Sequence, residues 1–309
     1  MSRVLITGAA GMVGRALVEA LPARGVVATD LARGQLPEAV AFRRMNVTGG
    51  DPDDVIGRVR PEVVVHLASV VTPPPGMSRE HAHAVDVTGT RHVLEACVRH
   101  GVRRLVVTSS GAAYGYHPDN PVPLTEDAPC RGNVAFAYAD HKRQVEEMLA
   151  EAREAHPELE QVVLRVGTVL GAGVENQITA LFHRKRLLAI RGCDSPFVFI
   201  WTRDLARILQ RAATDGPAGI YNVAGDGWLT VDDLARRLGK PVLRLPAWAL
   251  KAALTVAKPL ELTQYGPEQV RFLQYRPVLA NDRLKEVFGY VPELSSAEVF
   301  ELWRREAGQ

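Results

Sequence analysis

A chain of 309 residues is long enough for one large α/β unit or two smaller domains sharing a cleft. Its 47% hydrophobic and 23% charged residues are those of an ordinary globular protein, and a net charge of +2 gives no electrostatic reason to expect nucleic acid or an anionic membrane as partner. Cys97, Cys130 and Cys193 cannot all pair within one chain and lack metal-ligand spacing, so no metal is expected and a reducing compartment fits best. The first strand begins by Val4, which leaves no room for a signal peptide, and no apolar run is long enough to span a bilayer. The expected location is cytoplasmic.

Short β-branched runs then alternate with longer segments of helical period, the pattern of a parallel sheet covered on both faces. Strands are expected at residues 4–7, 26–29, 42–47, 63–68, 102–108 and 162–166. A helix should follow the first strand to about Ala23, with Gly25 placed to end it, and long helices should occupy 79–100 and 136–156. Runs as apolar as Val63-Val64-Val65 and Leu105-Val106-Val107 imply burial on both faces. Further on, a strand is expected at 197–201, a helix at 203–213 and a strand at 220–223, before a proline-punctuated, largely helical stretch from Pro241 to Pro277. The fold class is α/β: a doubly wound parallel Rossmann sheet with a smaller, mostly helical C-terminal substrate-binding region. Residues 1–166 and about 197–224 are assigned to the dinucleotide-binding domain, and about 167–196 and 225–309 to the substrate region.

Thr7-Gly8-Ala9-Ala10-Gly11-Met12-Val13-Gly14 follows the first strand and opens a helix. Glycines there let the chain turn tightly and let a pyrophosphate approach main-chain N–H groups without a Cβ in the way. The spacing of Gly8, Gly11 and Gly14 is weak by itself, but its context, with an acid about twenty residues on, is that of a dinucleotide site. The acid is Asp30, which can accept hydrogen bonds from ribose hydroxyls and repels a 2′-phosphate; NAD is therefore favoured over NADP, Arg33 leaving some room for the latter. Tyr138 and Lys142, four apart on a helix, share one face, so the ammonium is expected to lower the phenol and make it usable as a base.

The order of motifs resembles that of an extended short-chain dehydrogenase/reductase of the nucleotide-sugar epimerase/dehydratase superfamily over nearly the whole chain. The resemblance rests on the glycine loop, His66-Leu67-Ala68-Ser69, Asp86-Val87-Thr88-Gly89-Thr90, Thr108-Ser109-Ser110 with Tyr114-Gly115, Tyr138 with Lys142, Leu164-Arg165, Asp204 and Tyr221-Asn222-Val223. It implies that Ser110 hydrogen-bonds the reacting oxygen, that Tyr138 exchanges its proton, and that Lys142 binds nicotinamide ribose and tunes Tyr138. It also implies that Leu67, Ala68, Ser69, Thr108 and Gly167 line the cofactor, with Asn46 and Val47 beside adenine. Met12 and Val13 of the loop and Asp86 are counted on the cofactor side as well. Ser69, Gly111 and Asn176 are candidate substrate contacts, Asn176 toward a phosphate, with Arg184, Lys185 or Arg186 near it. A homodimer through the helices at about 79–100 and 136–156 is the family-level expectation.

Several positions depart from the family pattern. Asp86 replaces an asparagine that helps shape the active-site backbone. Gly111 and Ala112 stand where dehydratases carry an acidic pair, which argues against dehydration. Phe197 occupies the place of an arginine that meets a diphosphate in many epimerases, and Trp201 replaces a histidine. Three readings follow. The first is an NAD-dependent epimerase-like enzyme acting at a carbinol carbon of a (nucleotide-)sugar, Tyr138 taking the hydroxyl proton and NAD being retained. The second is an NAD(P)-dependent alcohol dehydrogenase or carbonyl reductase for a more apolar small molecule, with the apolar run 245–256 resembling a lid. The third is a non-catalytic dinucleotide-binding protein. Among the histidines, His66 is expected to serve packing, His141 to point off the Tyr138–Lys142 face, His81 and His83 to diverge, and His117 to lie near the active-site loop without a role.

Overall fold

Strands and helices alternate in the computed structural model, which describes residues 3–74, 76–260, 262–263 and 265–309. The strands are β1 (Val4–Thr7), β2 (Val26–Asp30), β3 (Ala41–Arg44), β4 (Val63–His66), β5 (Arg104–Ser110), β6 (Glu160–Val166), β7 (Thr168–Leu170), β8 (Leu187–Ile190), β9 (Phe199–Trp201), β10 (Gly219–Val223) and β11 (Val242–Leu245). The helices are α1 (Met12–Ala20), α2 (Asp51–Val59), α3 (Arg79–His83), α4 (Gly89–Arg99), α5 (Ala137–Ala155), α6 (Gln177–Phe182), α7 (Thr202–Ala213), α8 (Val231–Leu238), α9 (Ala247–Ala257), α10 (Gln269–Gln274), α11 (Asp282–Glu286) and α12 (Ser296–Glu306).

Seven strands form one parallel sheet in the order β10-β6-β5-β4-β1-β2-β3. The chain runs outward from β1 to β3, then returns to β4 on the other side of β1. That reversal opens a crevice at the carboxyl ends of β1 and β4, where doubly wound sheets bind ligands. Every residue of β1 and β4 is buried, because helices cover both faces. Leu17, Leu205 and Leu209 of α1 and α7 pack one face against Ile6 and Val65. Ile56, Val93, Cys97, Val145 and Leu149 of α2, α4 and α5 pack the other against Leu5, Val64 and Leu105.

Several boundaries differ from the sequence expectation for local reasons. The first helix stops at Ala20 rather than Ala23, because Leu21 precedes Pro22 and takes extended angles (φ −96°, ψ 148°). The strand expected at 42–47 is only Ala41–Arg44, an edge strand. The helix expected at 79–100 is interrupted by a π-helical segment, Ala84–Thr88, which carries Asp86. Of the strand expected at 197–201, Phe199–Trp201 pairs with β7 outside the main sheet, whereas β10 joins it beside β6. The C-terminal region adds two small parallel pairs, β7–β9 and β8–β11, to its helices. Its own core is aromatic, with Phe182, Phe197, Phe199, Phe300 and Trp303 packed together. Among the described residues no helix is long and apolar enough to cross a membrane.

Candidate active site

The crevice at the end of β1 holds a hollow of about 230 Å³ lined by Gly8, Gly11, Asp30, Asn46, Val47, Leu67, Ala68, Ser69 and five further residues, Val85 of the helical segment after α3 among them. Nine of its thirteen lining residues, counting Thr7, thus belong to the glycine loop or to the segments expected beside a cofactor. Gly8 is in the left-handed region (φ +65°), and a Cβ there would lie 2.7 Å from the Ala68 backbone nitrogen. A Cβ on Gly14 would lie 2.4 Å from the Gly8 carbonyl oxygen. Gly11 caps α1 without any side-chain hydrogen bond, so the first N–H groups of the helix stay free to meet an anion. The cradle fits a dinucleotide pyrophosphate.

Asp30 closes the adenosine side. Its Oδ2 accepts from the Ala10 N–H at 3.0 Å and its Oδ1 from the Leu31 N–H at 2.7 Å, which fixes the carboxylate at the mouth of the hollow with lone pairs to spare. Asn46 accepts from the Thr48 N–H and hydroxyl, and its own N–H donates to Asp51 at 2.8 Å. Met12 and Val13 do not face this hollow; with Val169 and Leu205 they line a second one on the other side of α1. Gly167 lies beneath Val198, where a Cβ would come within 3.1 Å of a methyl group.

Helix α5 brings Tyr138 and Lys142 to the end of β5. Lys142 is buried, its ammonium 5.6 Å from the Tyr138 ring centre and donating to the Thr108 carbonyl at 2.9 Å. Ser110 ends β5; its hydroxyl accepts from the Ala112 N–H at 3.2 Å, and it lies close enough to Tyr138 to favour the ionised phenol. The three expected catalytic side chains therefore converge. Their electrostatics differ from expectation in one respect: Tyr138 is not lowered. Burial pushes the phenol above its ordinary range, the Ser110 hydroxyl works against that, and the Asp86 carboxylate adds to the rise. Lys142 is held below its usual value by burial, with Asp86 and Glu146 opposing. The ammonium donates to Thr108, and with burial dominant Tyr138 rests as a neutral phenol.

Other expected residues have structural work. Asn176 was expected near a phosphate; instead its Oδ1 caps α6, accepting from the Ile178 and Thr179 N–H groups, and its amide donates to Val169. Gly111 packs against Leu279, and Arg184, Lys185 and Arg186 are exposed on a turn. His117 Nε2 donates to the Arg131 carbonyl at 2.8 Å, bracing the loop after Tyr114. His141 does not point away. It is buried, and its Nδ1 meets the Asp86 carboxylate at 2.9 Å.

His66 sits at the end of β4, 2% exposed, between the Thr7 and Thr90 hydroxyls at 2.8 and 3.0 Å. Burial holds it down at about 3, the Lys142 ammonium adding to the fall and Asp86 opposing it. The unfolded chain takes up this proton below about 6.5, but the folded chain does not until near 3, so the associated stability is complete above 6.5 and drains away as pH falls. The unfolding free energy from urea titrations should therefore fall between pH 7 and 4 by on the order of 3 kcal/mol more for the natural protein than for His66→Gln. Parallel slopes would show that His66 titrates normally.

Two features carried no sequence signal. Tyr116, Phe136 and Phe272 pack together against Tyr138, with ring centres 5.1 to 5.8 Å apart. Behind them Arg276 is buried, its guanidinium 3.8 Å from the Phe197 ring centre and 4.7 Å from that of Phe272. Among the described residues it has no carboxylate partner; Nη1 donates to the Ser195 carbonyl at 3.2 Å and Nε donates to nothing. Burial lowers it to about 9, with Tyr116 opposing.

A parallel sheet with a glycine cradle at its reversal point defines a Rossmann-type dinucleotide-binding protein. Residues 4–224 match the model of the NAD dependent epimerase/dehydratase family, and the chain belongs to that family as an NAD-dependent enzyme. It is 36% identical to the 3-diazoavenalumate denitrifying reductase of a Streptomyces species, over 94% of this chain and 96% of that one. It is 33% identical to the UDP-glucose 4-epimerase of Azospirillum brasilense over 62% of this chain and 60% of that one. The solved UDP-glucose 4-epimerase of Thermus thermophilus, in complex with NAD, superposes with a TM-score of 0.73 at 26% identity, covering 98% of each chain.

Proposed function

We propose that this chain is an NAD-dependent reductase or dehydrogenase acting at a carbonyl or carbinol carbon of a small molecule that carries an apolar, planar body and an anionic group. The observation that carries this is the surroundings of Tyr138: an aromatic wall of Tyr116, Phe136 and Phe272, with the Arg276 guanidinium, which has no carboxylate partner among the described residues, behind it. A sugar ring needs several polar partners when water is excluded. Gly111, Ala112 and the aromatic wall supply few, whereas aromatic faces and a buried cation suit an aromatic or unsaturated acid.

In the reductive direction the Ser110 hydroxyl donates to the carbonyl oxygen and holds it within reach of Tyr138. The phenol, neutral at rest, gives that oxygen its proton, and the Lys142 ammonium stabilises the phenolate left behind until solvent returns a proton. Gly8, Gly11, Asp30 and the Leu67–Ser69 loop would hold NAD, which when bound supplies or accepts the hydride. In the oxidative direction the same groups run in reverse.

A second reading is the epimerase on a nucleotide-sugar, with NAD retained. Arg276 favours it, since a guanidinium over Phe197 could meet a phosphate close to the place where the chain has Phe197 instead of an arginine. Incubation with NADH and aromatic keto acids, and separately with UDP-sugars, distinguishes the two. Net NADH consumption with the first set supports the proposal; epimer exchange without net NADH change replaces it with the second reading. The proposal includes a cytoplasmic homodimer through α3–α4 and α5; light scattering at the mass of one chain would remove the dimer.

A further inference from the structure

We infer that Asp86 and His141 act as one positioning unit that ties the cofactor loop after β4 to the helix bearing Tyr138 and Lys142. The inference shares the site of the proposed reaction and relies on that reading for the importance of Tyr138 and Lys142, but not for the pairing.

Three observations carry it. The Asp86 carboxylate spans two elements: Oδ1 accepts from the Ser69 hydroxyl at 2.9 Å and the Val70 N–H at 2.7 Å, while Oδ2 meets His141 Nδ1 at 2.9 Å. Both side chains are 1% exposed, so neither end of the pair has water as a substitute partner. The π-helical segment over Ala84–Thr88 carries Asp86, and one wide turn of this kind shifts the side chains that follow relative to a regular helix. The groups around the pair complete the arrangement. The Lys142 ammonium lies near enough to be felt by Asp86, the His83 ring stands edge-on to His141 at 5.3 Å, and His66 lies on the β4 side.

The physical consequence is coupling. Asp86 alone would leave one buried carboxylate oxygen without a donor beside Lys142, free to draw the ammonium from Thr108. His141 alone would leave a buried N–H without an acceptor. Each residue is costly without the other, which explains why an acid is tolerated here in place of the amide expected from the resemblance. An amide at 86 could still accept from Val70 N–H without needing His141 as donor.

The test is a double-mutant cycle read without substrate: NADH dissociation constants by fluorescence, and Tm of the cofactor-free protein, for Asp86→Asn, His141→Leu and the double variant. His141→Leu should weaken NADH binding about tenfold, and adding Asp86→Asn should recover most of that loss. His141→Asn, which keeps a donor close to the Nδ1 position, should stay within about threefold of the natural protein. His141→Ala takes the place of the leucine variant if the latter fails to fold. Multiplying losses in the double variant, or single variants that lower Tm while leaving NADH binding unchanged, would overturn the inference. Because no turnover is measured, failure of the hydride-transfer reading would leave this result standing.

Discussion

Tyr138→Phe should cost roughly a thousandfold in turnover while NADH affinity stays within about twofold of the natural protein. The phenol is the proton-exchanging group of the proposed reaction and is felt by Ser110, and Phe keeps the ring while deleting only the phenol oxygen. The ring itself packs against the Tyr116–Phe136–Phe272 cluster, so Phe should be tolerated by the fold. That separation gives the experiment its force. If Tyr138 served only to pack the aromatic wall, the variant would work nearly as well as the natural protein. Turnover measured under saturating NADH, with the substrate found by the keto-acid screen, decides between the two.

Gly14→Ala should destabilise the protein by about 3 kcal/mol and abolish measurable cofactor binding. The new Cβ would lie 2.4 Å from the Gly8 carbonyl oxygen, 2.6 Å from Ala9 Cα and 2.7 Å from the Ala9 carbonyl oxygen. All three are backbone atoms of the turn that cradles the pyrophosphate, so no rotamer change relieves the clash. The turn must open or α1 must move away from β1, and either shift misdirects the N–H groups at the start of the helix. Urea unfolding and NADH fluorescence measure the two consequences. A variant with natural stability and affinity would mean that the loop has room the geometry does not show. Gly49, with nothing within 4 Å of its Cβ position, is the natural control.

What could be read from the chain alone follows a physical boundary. The glycine cradle, Asp30 and the Tyr138–Lys142 pair are defined by short spacings that one turn or one strand converts directly into geometry: Gly8, Gly11 and Asp30 line one hollow, and the Lys142 ammonium lies 5.6 Å from the Tyr138 ring centre. The buried strands were legible because continuous apolar runs have few other uses. The Asp86–His141 pair joins residues 55 apart, one on the π-helical segment and one on α5, so no local spacing announces it. Arg276 and Phe272 reach Tyr138 and Phe197 from the far end of the chain, with no spacing to announce them. Asn176 has a second, local role that its position did not announce: it closes a capping box at the start of α6, and capping pairs are hard to tell from ligand contacts before the helix start is known. The tuning of Tyr138 was misjudged because spacing gives proximity but not burial, and burial outweighs the neighbouring charge.

The proposed reaction needs a proton-giving phenol beside a bound NAD that would pass hydride to an aromatic or unsaturated keto acid. The most direct measurement follows deuterium from C4-labelled NADH into product by mass spectrometry, for the natural protein and for Tyr138→Phe at matched NADH occupancy. The account predicts one deuterium at the carbinol carbon with the natural protein and almost none with the variant. Equal labelling by both, or no labelling by a natural protein that binds NADH tightly across the keto-acid and UDP-sugar panels, would contradict it.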